Sequence, residues 1–462
     1  MVLYQHWYDT RINITILDIV FLIFILGIVY IYAKAVSTRK IKTEPYYKYF
    51  TNALIIKVFA GVVFAAITMM FYPGDTFEYF KTINSINKLL LQEPSKYVDI
   101  LLQGPKPEFW SYFTPETGYP SGYMWRDPNT VLVSRIFSPF MLLTSGSFII
   151  STVLAAIIGF TGLWKLYLVF CNLYPGLEKK FAYAILYFPS VLFWSSGILK
   201  DTLTIAAVGW IVYSFYNFAI LRKIKIKYIL VIIIASFLII NIKSYIFAAL
   251  VPGLLVWLFF KQLSNIKSGF IKFIVSPFLI IAVLFGFTLI MNSVSDDMGA
   301  YGDVNQAIEK AQITQQDLIR SEQYGENYYD IGKFEATPMG ILKKAPISII
   351  SGVFRPFIWE AKNPFVLLAA LEGSFLIGFL LFIIFKTGLI QFFRNIFKDP
   401  MLIFAFSFII IFGFGVGLAS ANFGALVRYK IPLLPLFVAG LIVLAQKFKT
   451  KKSQKTLNIN TN

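Results

Sequence analysis

Asp75 and Glu78 stand three residues apart in GDTFEYF, directly after a long apolar run. A carboxylate there can take a proton from a hydroxyl as a general base, or help to hold a divalent ion. Gly74 permits the turn that would bring Asp75 to the end of a membrane helix, where a lipid-anchored substrate presents its head group. Asp is also a favoured N-cap residue, so the position suits a purely structural role as well. Lys200 and Asp201 follow Ser195-Ser196-Gly197 in FWSSGILKDTL. An ionisable pair at membrane depth is expensive, and is either functional or mutually neutralised; an acid opening a helix also suits its macrodipole. Arg355 and Glu360 flank the aromatic segment FRPFIWEAKNP, and Glu372 falls about two turns inside the helix expected after Pro364. A carboxylate that deep needs a partner or a polar cavity, and an ion pair that fixes helix packing would also satisfy it. Arg428, Tyr429 and Lys430 follow the Gly- and Ala-rich SANFGAL. Their guanidinium and ammonium groups suit phosphate oxygens, although such side chains also snorkel to lipid head groups.

The elements that must carry these residues are membrane helices. The chain of 462 residues is 57% hydrophobic and only 14% charged, well below the roughly 25% charged share of soluble domains. Apolar runs long enough to cross a hydrocarbon core of about 30 Å recur along its whole length. Hydropathy and loop charge give an all-α polytopic membrane protein with eleven crossings near 13–35, 52–72, 146–171, 182–197, 201–221, 228–242, 245–260, 271–292, 365–385, 401–419 and 431–446. Residues 1–446 form one transmembrane domain, and the basic tail 447–462 is expected to be cytoplasmic and disordered.

A net charge of +18 raises nucleic acid as a partner, but the cations sit in short loops at 36–50, 172–181, 222–227, 261–272 and 386–399, and in the tail. These alternate with acidic or neutral loops, as the positive-inside rule requires, so the charge sets topology. The amino terminus is then expected outside and the carboxyl terminus in the cytoplasm. The first run ends in YAKAVS, but its basic residues follow it, so it is read as a retained helix and not a cleaved leader.

Two outer segments, 73–145 and 293–364, contain 17 of the 24 acidic residues. In the first, Phe77, Phe80, Ile83, Ile86, Leu89 and Leu90 recur at helical spacing and are expected to lie on the membrane interface. In the second, the apolar half PMGILKKAPISIISGVF is expected to dip back towards the membrane. The single cysteine, Cys171, excludes an internal disulfide and argues against a thiol metal site, and the single histidine, His6, lies near the amino terminus. Chemistry therefore falls to carboxylates, Lys, Arg, Tyr or backbone dipoles, with no cofactor demanded and a divalent metal compatible with the acids.

The spacing Asp75-x-x-x-Tyr79 after a membrane helix, leading into an amphipathic helix, resembles the first outer loop of polyprenyl-phosphate-sugar-dependent glycosyltransferases of the GT-C superfamily. The protein O-mannosyltransferase-like and lipid A aminoarabinose transferase-like branches are included. RYKIPLLP at 428–435 is similar to the RY-x-x-P-x-x-P ending of many bacterial members. The resemblance implies that Asp75 is the general base towards an acceptor; Glu78, Asp201, Glu360 and Glu372 are the candidate supporting acids. It implies that Arg428 and Lys430, then Lys200 and Arg355, hold the donor's phosphate. Thr76 stands where members often carry a second acid, and an additional helix precedes the one that delivers Asp75.

The expected function is transfer of a sugar from a polyprenyl-phosphate donor to a glycan, lipid or protein acceptor on the outer face of a bacterial inner membrane. The expected partners are membrane lipids and these substrates, not nucleic acid. A polymerase or ligase acting on lipid-diphosphate glycans would share the many helices and outer cations. A lipid-linked sugar transporter or flippase is the rival from another class, favoured by Glu372 and opposed by the lack of a repeated half.

Overall fold

The structure, a computed structural model, describes residues 14–71, 74–265, 302–318 and 327–460 apart from 333 and 336, with a few positions between 286 and 298. His6 and most of the crossing expected at 271–292 lie outside the described residues. Among the described residues the protein is helical, and its only β-type pairing is an isolated bridge between Tyr328 and Asn422. Among the described residues, seven helices are long and apolar enough to cross a membrane, or eight when one bent pair is counted as a span. The chain is a polytopic helical membrane protein.

The helices used below are α1 (Ile16–Lys40), α2 (Phe50–Met70), α3 (Gly74–Gln92), α4 (Pro94–Gln103), α5 (Pro128–Met141), α6 (Phe148–Leu173), α7 (Pro189–Trp194) and α8 (Lys200–Phe215). They continue with α9 (Ile226–Asn265), α10 (Val304–Leu318), α11 (Pro338–Phe354), α12 (Pro364–Thr387), α13 (Leu389–Phe397), α14 (Pro400–Ala419), α15 (Phe423–Tyr429) and α16 (Leu434–Asn460).

Four expected crossings take other forms. At 182–197 the chain is a π-type turn over Ala182–Leu186 followed by the short α7, not one helix. Pro189 holds Phe188 extended (φ −66°, ψ 123°), so the helix cannot run through. The segments 228–242 and 245–260 meet without a loop inside α9, at Lys243, whose backbone is non-helical (φ −150°, ψ 74°). Its 40 residues would measure about 60 Å if straight, twice a hydrocarbon core, so the break is needed. The expected span 431–446 falls mainly on α16, which meets the short α15 at a 63° bend with Pro432 in the break. The basic tail, expected to be disordered, continues α16 as helix to Asn460. Its Lys and Gln residues are good helix formers extending a helix that is already nucleated.

The chain divides into two compact units, one of residues 1–171 and 186–210, the other of 172–185 and 211–462. In the first, Thr15 and Asp18 close a reciprocal capping box at the start of α1. Phe50 of α2 meets Trp164 and Phe160 of α6 edge-on, with centroids 4.9 and 5.5 Å apart. Helices α6 and α8 touch backbone to backbone, because a Cβ on Gly209 would lie 2.0 Å from the Gly162 carbonyl oxygen. The apolar stripe of α3 is not left open to an interface: Phe77, Phe80, Ile83, Ile86 and Leu89 are all buried. It packs on α4 and α5, and Ile86 and Leu89 join a core with Tyr97, Ile100, Phe109, Phe113, Trp125 and Val131. The outer segment 73–145 thus has a folded core of its own.

In the second unit, the segment expected to dip back is α11, which packs along α14. Small residues make this seam, since a Cβ on Gly352 would lie 1.9 Å from Gly413 O and one on Gly417 1.9 Å from Ser348 O. Trp257 of α9 stacks on Phe404 of α14 at 5.2 Å. At one end of this unit, Asp399 caps α14 by accepting from the N–H of Met401, and also accepts from Tyr174 Oη at 2.8 Å and Lys447 Nζ at 2.7 Å. Nearby in sequence, Lys180 Nζ donates to Gln446 at 3.3 Å. Three of the short basic segments therefore meet.

Candidate functional site

The second unit gathers most of its candidate residues around the bend between α15 and α16. Asn422 starts α15 by accepting from the N–H groups of Gly424 (2.8 Å) and Ala425 (3.2 Å). The helix ends two turns later, so Arg428 and Lys430 stand at its C-terminus, where the dipole favours cations. Lys430 is 1% exposed and donates from Nζ to the Arg355 carbonyl oxygen at 2.9 Å. Glu372 of α12 supplies its nearby negative charge. A buried ammonium needs such partners, because desolvation of an unpaired charge costs several kcal/mol.

Arg355 ends α11 and extends its side chain over the Tyr329 ring, 4.6 Å from the centroid, with Phe357 at 5.7 Å. Its Nε lies 3.2 Å from Glu360 Oε1, while Glu360 Oε2 accepts from the Phe357 N–H at 2.9 Å. The Nε contact is close but off the hydrogen-bond line, so Nε and Nη1 keep unfilled donor capacity. Burial pushes the Tyr329 hydroxyl above its ordinary range, opposed by the Arg355 charge. Tyr329 is held by its N–H to Ala421 O at 2.8 Å and by stacking on Phe423 at 5.3 Å. Lys243, at the break in α9, places Nζ 4.7 Å from the centre of the Tyr429 ring. Among the described residues the group brings together the cations Lys243, Arg355 and Lys430 and the carboxylates Glu360 and Glu372, with Arg428 two residues before Lys430. It is a cationic site with aromatic walls, chemically suited to phosphate.

The first unit holds Asp75, Glu78, Lys200 and Asp201. Gly74 takes a positive φ of 48°, and Asp75 stands half-buried inside the first turn of α3, with Glu78 one turn on and Tyr79 buried. Lys200 donates to Thr130 Oγ1 at 2.6 Å and lies 3.7 Å from Asp127, the N-cap of α5. That tie to another helix gives Lys200 a structural task that its neighbour Asp201 does not explain. Asp201 is 1% exposed in the first turn of α8.

Sequence reasoning overlooked Lys57. It is buried within α2, and its Nζ donates to Leu192 O at 3.1 Å and Ser195 Oγ at 2.5 Å, at the C-terminal end of α7. A lone cation in the apolar run IIKVF was the available signal. Lys243 was passed over as the boundary between two crossings. Thus Arg355, Glu360, Glu372, Arg428 and Lys430 belong to one neighbourhood in the second unit, and the other candidates to the first. No group of three or more His, Cys, Asp or Glu with metal-site geometry occurs among the described residues.

Fold and charge placement define the class, a multi-pass helical membrane protein with ionisable residues at helix breaks. Comparison with known protein families, characterised proteins and solved structures finds no match to this chain.

Proposed function

We propose that the chain is a membrane glycosyltransferase that moves a sugar from a polyprenyl-phosphate donor to an acceptor on the outer face of a bacterial inner membrane, in cell-surface glycan synthesis. The observation that carries this reading is the cation group around Lys430, with open donors on Arg355 and aromatic walls. Arg428, Lys430 and Arg355 serve the donor's phosphate. The resemblance assigns the acceptor to Asp75. In the transfer the acceptor's hydroxyl oxygen bonds to the anomeric carbon, the bond from that carbon to the phosphate oxygen breaks, a carboxylate takes the hydroxyl proton, and cations stabilise the negative charge left on the polyprenyl phosphate. Eleven crossings, an outer amino terminus and a cytoplasmic carboxyl terminus belong to the same reading.

The test is transfer from radiolabelled polyprenyl-phosphate sugars in proteoliposomes. Asp75→Asn is expected to lower turnover by at least 100-fold while the protein inserts normally; unchanged turnover would sink the proposal. Single-residue products support a transferase, and long ladders a polymerase. The bent span, with Lys430 in its break beside Glu372, favours a second reading as a lipid-linked sugar transporter. Flux of the intact lipid-linked sugar, lost in Glu372→Gln, would establish that reading instead.

A further inference from the structure

The outer segment exposes a set of aromatic rings that the proposed chemistry does not use. Between residues 104 and 127 the large apolar side chains left open are Trp110 (37% exposed), Tyr119 (41%) and Tyr123 (60%). Trp110 and Tyr119 are stacked with centroids 5.9 Å apart and planes 30° apart. The tip of Trp110 also reaches the turn that carries Tyr123, since a Cβ on Gly122 would lie 4.0 Å from it.

These rings are held rigidly. Trp110 leans edge-on against the buried Phe113 and Trp125, at 6.3 and 6.2 Å, which belong to the core under the segment. The loop before Tyr119 is closed by Thr114 and Thr117, with the Thr114 N–H donating to Thr117 Oγ1 at 2.8 Å. The Ser121 N–H donates to Thr82 Oγ1 at 3.1 Å, and Lys88 Nζ to Glu116 O at 3.2 Å, so the segment is pinned to α3. Thr82 lies seven residues after Asp75 on that helix, a separation of about 10 Å along its axis.

The composition of this surface separates it from the lipid-facing ones. Helix α1 exposes a mainly aliphatic face, Ile16, Leu17, Ile19, Val20 and Ile23 among it, in which Phe21, Tyr30 and Tyr32 are interspersed. The segment 104–127 exposes only rings that carry a polar N–H or O–H, with Glu108, Ser111 and Glu116 exposed around them. Flat apolar ring faces rimmed by hydroxyl and carboxylate groups match a sugar, whose C–H faces are apolar and whose edges are hydroxyls.

We propose that Trp110, Tyr119 and Tyr123 form a carbohydrate-binding platform that receives a glycan chain and leads it along α3 towards Asp75. Its role as an acceptor site rests on the transferase reading above; the binding itself is measured without any donor.

The experiment uses the full chain in nanodiscs of phosphatidylcholine and phosphatidylglycerol, applied to an array of soluble bacterial cell-surface oligosaccharides. The protein is expected to retain a subset of them, and Tyr119→Ala/Tyr123→Ala to lose that retention by roughly tenfold, as does Trp110→Ala. Leu91→Ala, on the exposed side of α3, is expected to bind as the parent does. Tyr119 and Tyr123 are the more exposed rings, so their variant tests the idea even where Trp110→Ala fails to fold. Retention of no oligosaccharide by the parent, or equal retention by the double variant, overturns the platform. A second arm measures quenching by brominated lipids in the parent and in Trp110→Phe. A quenching component that disappears with Trp110 assigns the rings to lipid and also overturns it. Glycan retention without sugar transfer would leave the platform standing while the transferase reading falls.

Discussion

Lys430 illustrates what one side chain can decide. It is buried at a helix break, hydrogen-bonded to one carbonyl and facing the charge of Glu372. Removing one member of a buried ionic pair strands the other, at about 3–5 kcal/mol. Lys430→Met is therefore expected to lower thermal stability strongly in detergent, and Glu372→Gln added to it to recover part of the loss. A double-mutant cycle that shows no coupling would separate the two residues. The residue types were legible in the sequence: Arg355, Glu360, Glu372 and Lys430 were all picked out as candidates. Their partners were not, because type and depth say that a charge needs a counterpart without saying which. Lys57 marks the reverse failure. Its signal was present, but its oxygen partners, Leu192 and Ser195, lie more than 130 positions away in the chain.

At the scale of elements, the seam between α11 and α14 makes a sharp prediction because it contains its own control. A methyl on Gly352 or Gly417 would sit 1.9 Å from a backbone oxygen, whereas Gly415 has nothing within 4 Å. Gly352→Ala and Gly417→Ala are expected to cost about 1–3 kcal/mol, read as a lowered midpoint of thermal unfolding in detergent, and Gly415→Ala to be neutral. Equal effects at all three positions would show that helix propensity, not close approach, sets the cost. Helices with strong apolar periodicity were the readable part of the fold. The stripe on α3 was equally readable, but the same spacing serves a lipid interface or a protein core, and only the presence of α4 and α5 chooses between them. The polar cluster Asn241, Lys243 and Ser244 marks a boundary between two apolar runs in the sequence, but with no Gly or Pro at the bend it does not tell a loop from a break inside one helix.

For the whole molecule, recurring apolar runs made the multi-pass helical class readable, and the alternation of basic and acidic loops supplies the proposed orientation. The single cysteine makes it testable: Cys171 is buried, and Cys171→Ser gives a clean background. In that background, Glu116→Cys is expected to react with a membrane-impermeant maleimide in intact cells, and Lys398→Cys only after permeabilisation. The reverse pattern would invert the proposed orientation and remove Asp75 from the outer face. How the ends of the helices are tied is less accessible from sequence. Asp399 collects Tyr174 and Lys447 from segments far apart in the chain, an arrangement that no local pattern announces.

Helix α1 carries a consequence for how the chain is built. Most of its apolar surface is uncovered, and it rests on α2 and the turn at Pro45–Tyr49 through Ser37 Oγ to Tyr47 O (2.8 Å) and Thr51 Oγ1 to Ala33 O (3.1 Å). The cations that follow it, Arg39, Lys40, Lys42 and Lys48, also stand directly before α2. A chain shortened to begin at this loop would keep that charge in front of α2, which is then expected to insert in the same sense without α1.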